Sequence, residues 1–197
     1  MNKPVLVPLQ IQSSDINEDE LLREIVRGDR TSFRVFFDIY KRDVFTTAHR
    51  LLNDISDAED ASQEVFLNAF RNIGQFERKS SLRTWLRKIT VNLCINRLKS
   101  REFRGKKNSV EIDEERLSYT PLSEDASLIR TIDKVVDSLP SNTKTVFVLK
   151  AQQGLRHEEI AYLMDITIGT SKSQYAHARL LLRERLSFLK EDLLDEV

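Results

Sequence analysis

The stretch HEEIAYLMDITIGTSKSQYAHARLLLRERL, residues 157–186, constrains this chain more than any other. A short helical run ends in Asp165, a few turn residues follow, and a long basic helix opens on Thr, Ser and Gln. That order is a helix-turn-helix, whose second helix enters the major groove and meets base edges with its N-terminal residues. At about 100° per residue, Ser171, Tyr175, Ala178 and Leu182 share one side and should pack against Ile160, Ala161 and Met164. Thr170, Ser173, Gln174 and His177 share the other and should face the groove, with Lys172 and Arg179 placed for phosphates. Gln can pair with adenine through two bonds, while hydroxyls can bond bases or phosphates. Free N–H groups at the helix start add a phosphate site. An amphipathic hairpin from any helical bundle is the bland alternative.

The residues in front also read as helices. Five Gly and four Pro leave little to interrupt them. Residues 1–17 read as a flexible arm, after which Asn17 can cap a short helix that Gly28 ends. From Arg30 to Leu52, Phe33, Phe36, Phe37, Tyr40, Val44, Ala48 and Leu51 recur at spacings of three and four and predict a core stripe. Ser56 and Glu59 form an S-x-x-E capping box for a helix to about Ile73, with Ala58, Ala61, Val65, Ala69 and Ile73 inward. Ser80 or Ser81 should cap LRTWLRKITVNLCINRLKSRE. Here Leu82, Trp85, Leu86, Ile89 and Leu93 lie on one side, Val91, Ile95 and Leu98 on the other, and Arg83, Arg87, Arg97 and Arg101 form an exposed stripe between. Residues 104–125 have few apolar residues and no sustained period, so they read as a linker. Leu128, Ile132, Val135, Val136 and Leu139 then mark a helix closed by Pro140, and Ser141 can cap NTKTVFVLKAQQ before Gly154. The fold class is all-α: two small helical domains, 18–103 and 126–197, joined by a flexible linker, the second holding the helix-turn-helix.

Net charge is zero, yet the charges are segregated along the chain. Between Asp54 and Glu64 stand five acids and no base, and Asp57, Asp60 and Glu64 share a helix side. Between Phe76 and Lys107 stand eleven bases against Glu77 and Glu102. Opposed patches of this kind suit a protein that meets an acidic partner with one surface and a basic one with another. Trp85 and the loop at 74–81 beside the basic stripe suit single-stranded nucleic acid, where bases stack and phosphates are neutralised. The single cysteine, Cys94, excludes an internal disulfide and reads as a packed helix residue. His49, His157 and His177 show no metal spacing with it, and no nucleophile triad or phosphate-binding Gly loop appears, so neither a cofactor nor an enzymatic activity is expected. No run of roughly 20 apolar residues offers a membrane span, and the N-terminus does not resemble a secretory signal. A soluble, cytoplasmic protein without membrane insertion is the expectation.

A duplex reader and a strand-separation surface on one tethered chain fit promoter opening. DAEDASQEVFLNAFRNIGQF followed by SSLRTWLRKITVNLCINRLKSR resembles the core-binding and −10-element segment of bacterial RNA polymerase sigma factors of the extracytoplasmic-function group. LPSNTKTVFVLKAQQGLRHEEIAYLMDITIGTSKSQYAHAR resembles that group's −35-element segment, and the likeness spans roughly residues 20–190. The resemblance implies that Asp57, Asp60, Gln63, Glu64 and Phe66 dock on the clamp helices of the polymerase large subunit. It implies that the loop carrying Phe76, Arg78, Lys79 and Ser80 takes a flipped −10 base, with Arg83, Trp85, Lys88 and Asn92 near the separated strands. Arg97 and Arg101 would follow the phosphate backbone, and the recognition helix would read the −35 element. Promoter DNA, the polymerase clamp and flap, and an anti-sigma factor are the implied partners. The chain departs from the family pattern at Asp165, where a turn glycine is usual, and in GTSKSQ, where GTVKSR is usual; Asn96 replaces a frequent acid. The alternative is a stand-alone dimeric helix-turn-helix regulator, which explains residues 126–190 but gives no role to the acidic face, Trp85 or the arginine stripe.

Overall fold

The computed structural model describes residues 17–107 and 124–194, and within them the secondary structure is helical, with no strand. The expected arm and most of the expected linker lie outside the described residues. Eight α-helices follow in order: α1 Glu18–Val26, α2 Arg30–Leu52, α3 Ile55–Asn72, α4 Leu82–Lys107, α5 Glu124–Asp137, α6 Ser141–Phe147, α7 His157–Met164 and α8 Ile168–Leu194.

Local chemistry explains the boundaries. Asn17 caps α1 by accepting from the N–H groups of Asp19 and Glu20. Gly28, at φ 89°, turns the chain where a side chain would be strained. Asp29 then caps α2 through Ser32 N–H at 2.8 Å. The expected Ser56 box does not form: Asp54 caps α3, accepting from Asp57 N–H at 2.8 Å. A carboxylate at the positive end of the helix outcompetes the neutral hydroxyl two residues on. Ser81 caps α4 by accepting from Thr84 N–H at 3.2 Å. Ser141 is no cap either; it lies inside α6, follows the N-cap Pro140, and donates to Glu102 at 2.7 Å. The helix expected to run to Gly154 relaxes into one wide π turn at Val148–Gln152.

Helices α1–α4 form one bundle. Ala58, Ala61, Val65 and Ala69 of α3 and Ile73 just past its end are all buried, as are Phe36, Tyr40, Val44, Ala48 and Leu51 of α2. Phe37, assigned to the same stripe, is instead 39% exposed, because it stands at the stripe's edge. The Tyr40 hydroxyl donates to Glu18 at 3.0 Å and fastens α1 onto α2.

Helix α4 is the spine of the molecule. Its first apolar side supplies the buried Leu82, Leu86 and Leu93, and its second the buried Val91, Ile95 and Leu98. Ile89 and Leu93 border a space facing α3, whereas Ile95 borders one facing Met164 and Ile166. The two-sided pattern thus joins both domains into one continuous apolar core.

Cys94 is fully buried in that core, and burial pushes its thiol up to about 12 from an ordinary value of 9.0. Tyr40 is raised as well, first by burial and then by its bond to Glu18. Both groups release protons earlier in the unfolded chain, so stability holds below pH 9 and falls as pH rises through the folded-state values. Cys94→Ala should remove about 1 kcal/mol of the loss between pH 8 and pH 10, measured by urea melts; an unchanged alkaline slope would contradict this placement.

Candidate nucleic-acid interface

The helix-turn-helix is built by α7 and α8. Glu159 accepts from the Arg156 N–H at 2.8 Å and closes the start of α7, a contact that also lowers its carboxyl's pKa. Asp165 ends the helix in the left-handed region at φ 52°, ψ 46°. This is the conformation that glycine adopts freely and Asp tolerates at a cost of about 1 kcal/mol. Thr167 opens α8 by accepting from Thr170 N–H at 3.0 Å.

The expected division of α8 is present except at Gln174. Ser171, Ala178 and Leu182 are buried and Tyr175 is half-buried, its ring stacked on Phe147 at 6.2 Å. Ser171 places a hydroxyl in that packing face without stranding it, since His157 Nδ1 lies 2.9 Å away. Thr170, Lys172, Ser173, His177 and Arg179 are exposed on the outer side. Gln174 is half-buried, its carboxamide held by the hydroxyl of Thr143 on α6.

The second surface lies at the start of α4. Phe76 packs on Trp85 with centroids 5.4 Å apart, making an aromatic ledge at the loop. Arg78 holds φ 58° and pairs with Asp19 at 2.7 Å, which ties the loop to α1. Lys79 pairs with Glu77, and Ser80 is half-buried. Beneath the loop lies a space of about 310 Å³ bordered by Leu22, Val26, Ile73 and Phe76, with Arg23, Arg27 and Arg78 on its rim.

The arginine stripe differs from expectation. Arg97 pairs with Glu64 at 2.9 Å, Arg101 pairs with Asp57, and Arg87 pairs with Asp43 at 3.0 Å. Only Arg83 keeps most of its side chain in solvent, 3.9 Å from Asp43. The charge blocks that are separate along the sequence therefore face each other between α3 and α4. Segregation by position does not survive antiparallel helix packing, which apposes residues about 30–45 positions apart. Of the candidate docking residues, Asp60 and Gln63 are exposed, Asp57 and Glu64 are engaged with arginines, and Phe66 is buried at 5% exposure against Phe36 and Phe37. Its neighbours Leu67 and Phe70 are open to solvent instead, at 56% and 47% exposure. They stand at i+4 and i+7 from Gln63 on α3, a spacing visible in the sequence beside that of the buried alanines.

Lys88 and Asn92 reach across to the second domain. Lys88 Nζ lies 2.6 Å from Asp165 and 4.8 Å from the centre of the Tyr162 ring. Asn92, Ile95, Asn96 and Lys99 share a space of about 440 Å³ with Thr170 and Gln174. Other links are polar too: Asn53 donates to Asp137 at 2.6 Å and Arg50 to the Gln152 carbonyl at 2.9 Å. No local signal marks Tyr162, Asp165 or Asp43 as partners, since each lies forty or more positions from the residues it meets. Among the described residues no group of His, Cys, Asp and Glu is arranged to hold a metal, and no helix is long and apolar enough to cross a membrane.

Comparison with known proteins matches this layout. The family model described as Sigma-70 region 2 matches residues 36–104, and that for Sigma-70, region 4 matches 129–182. The chain is 32% identical over 181 residues to the ECF RNA polymerase sigma factor SigW of Bacillus subtilis, covering 84% of this chain and 94% of that one. It belongs to the ECF sigma factors of the sigma-70 family. This sigma factor is also 27% identical over 173 residues to the RNA polymerase sigma-H factor of Pseudomonas aeruginosa, covering 82% and 90% of the two chains. Among solved structures its fold matches the sigma factor RpoE in complex with the anti-sigma factor NepR from Bartonella quintana, with TM-score 0.56, 22% identity and coverage of 79% and 96%. It also matches CnrH in complex with the cytosolic domain of CnrY, with TM-score 0.59, 17% identity and coverage of 85% and 96%. The region 2 match thus runs from within α2 through α3 and the loop into α4, and the region 4 match from within α5 through α6 and α7 to the first half of α8.

Proposed function

We propose that this chain works as a dissociable initiation subunit in the cytoplasm, that it carries out no chemistry itself, and that its two domains (18–103 and 126–197, tethered by 104–125) grip promoter DNA only on core RNA polymerase. Asp60 and Gln63 dock on the clamp, the second domain on the flap. Phe76, Arg78, Lys79, Ser80, Arg83, Trp85, Lys88 and Asn92 receive the −10 strand, with Arg97 and Arg101 behind them; Thr170, Lys172, Ser173, Gln174, His177 and Arg179 read the −35 duplex. The space beneath the loop supports the −10 assignment: about 310 Å³ with an apolar floor and an arginine rim suits one flipped base and its phosphate. The observation that carries the proposal is the coexistence of this ledge and a groove-reading helix on one chain.

The closed arrangement supports dependence on polymerase. Lys88 is committed to Asp165, and a duplex about 20 Å across cannot enter the space that Thr170 and Gln174 share with α4. Beside the apolar core that the two domains share, the seam carries partly exposed polar links, which contribute under about 1 kcal/mol each. A polymerase surface that competes for both kinds of contact would draw the domains apart. An anti-sigma factor would hold the chain inactive, as the complexes formed by its structural relatives suggest.

Asp165→Gly tests the seam. Glycine accepts φ 52° without strain, so α7 and α8 keep their geometry while the link to Lys88 is lost. The separated population should rise by up to about fivefold, read as single-molecule energy transfer between dyes on α3 and α8. An identical transfer distribution would refute the link. Co-purification of the chain with core polymerase tests the wider proposal, and failure to associate would end it.

A further inference from the structure

Gln174 stands where the family carries an arginine, and its surroundings determine more than its charge. Thr143 is buried at 3% exposure in the first turn of α6, and its hydroxyl donates to Gln174 Oε1 on α8. Thr145, two residues on, behaves differently: its hydroxyl donates to the Ser141 carbonyl of its own helix at 2.8 Å. Thr143 thus directs its proton across to the recognition helix instead of back into α6. A buried hydroxyl hydrogen left without an acceptor is costly, and among the described residues Gln174 is the acceptor that Thr143 has. That requirement fixes which end of the carboxamide turns inward. The group is planar, with oxygen and nitrogen on branches about 120° apart, so an inward oxygen leaves the NH2 group to face outward.

We propose that Thr143 is a specificity-determining positioning residue that makes Gln174 a donor-only reader of the −35 duplex. Free glutamine recognises adenine by donating to N7 and accepting from the N6 amine, which needs both ends of the amide at the base. Held by Thr143, Gln174 offers only N–H groups. These fit the O6 and N7 acceptors of guanine and the O4 of thymine, gain one bond instead of two at adenine, and meet the N4 amine of cytosine donor to donor. The two-bond adenine contact expected from the sequence is thereby replaced by selection for acceptor-rich base edges. This inference rests on region 4 reading the −35 element.

The test is initiation by core polymerase from a promoter library randomised across the −35 element, using wild type, Gln174→Ala, Thr143→Val and Thr143→Ser. Gln174→Ala should flatten preference at one base pair and so identify it. On the strand that Gln174 meets, identified as the one where 7-deazaguanine lowers initiation at that pair, wild type should favour guanine or thymine and disfavour cytosine. Thr143→Val should raise the relative use of adenine at that pair by roughly fivefold or more and leave the other positions alone, while Thr143→Ser should keep the wild-type profile. Thermal melts of each variant separate this from a folding defect. A wild-type preference for cytosine would mean that the carboxamide is reversed, and an unchanged profile in Thr143→Val would mean that Thr143 positions nothing; either overturns the proposal. If wild type does not initiate at all, the sigma-factor proposal itself fails. The carboxamide placement is then judged by NMR, where sharp Gln174 side-chain N–H signals should broaden in Thr143→Val, and signals equally sharp in both would refute it.

Discussion

Leu67→Asp combined with Phe70→Asp should weaken binding to core polymerase by about a hundredfold or more, with little effect on the melting temperature. Asp60, Gln63, Leu67 and Phe70 follow one another on α3 at spacings of three and four, so they form one continuous strip. Phe70 rests edge-on against Phe33 at 4.8 Å, and beside it Phe37 rests on Phe66 at 4.6 Å. Such rings are held in place yet open to solvent, which suits anchors in an interface. Truncating a well-packed interface anchor costs about 2 kcal/mol or more, and two together exceed the roughly 2.7 kcal/mol of a hundredfold loss. Because both side chains are about half exposed, the helix loses little when they are replaced. Asp60→Lys should act in the same direction more weakly, since charge at an interface edge mainly tunes association rate. Equilibrium titration of labelled chain with core polymerase checks all three, and undiminished affinity of the double variant would remove α3 from the docking surface.

Phe36→Ala should have the largest effect on stability, about 3–5 kcal/mol. The ring is fully buried and meets Phe33, Tyr40 and Phe66 at centroid distances of 5.7, 5.1 and 5.9 Å. Its removal opens a cavity at the junction of α2 and α3, which neighbouring rings cannot close without leaving their own contacts. Against a total stability of about 5–15 kcal/mol for an ordinary domain, that loss leaves α1–α4 barely folded. Urea melts followed by circular dichroism give the value, and a loss below about 1.5 kcal/mol would mean that the site collapses freely.

Helix periodicity made most of this fold legible. The alanine stripe of α3 and both apolar sides of α4 are where spacing puts them, because burial selects small or aliphatic residues at every turn that faces a neighbour. The recognition helix was readable in the same way for Ser171 inward and Ser173 outward, but not for Gln174, which Thr143 holds half-buried. Two kinds of fact were not. Caps turned on competition between near neighbours, as when Asp54 displaced Ser56. Pairings between helices turned on tertiary apposition: Arg97 with Glu64, Arg101 with Asp57 and Lys88 with Asp165 each join residues that periodicity treats independently. The separate acidic and basic faces were the casualty. The charge pattern suggested two opposed surfaces and could not register that the arginines and acids neutralise each other across α3 and α4. Phe66 and Leu67 show the same limit at single-residue scale, since one step along α3 exchanges a buried ring for an exposed aliphatic side chain.

The most direct measurement is permanganate probing of a supercoiled promoter library with core polymerase, with and without this chain, alongside mapping of transcript starts. The account predicts that the chain alone leaves every thymine protected. With polymerase it should expose thymines in a short segment around −10 and give new start sites downstream of it, and Arg83→Ala with Trp85→Ala should abolish that exposure while −35 contacts persist. Unchanged start sites, or strand opening that survives loss of Arg83 and Trp85, would contradict it.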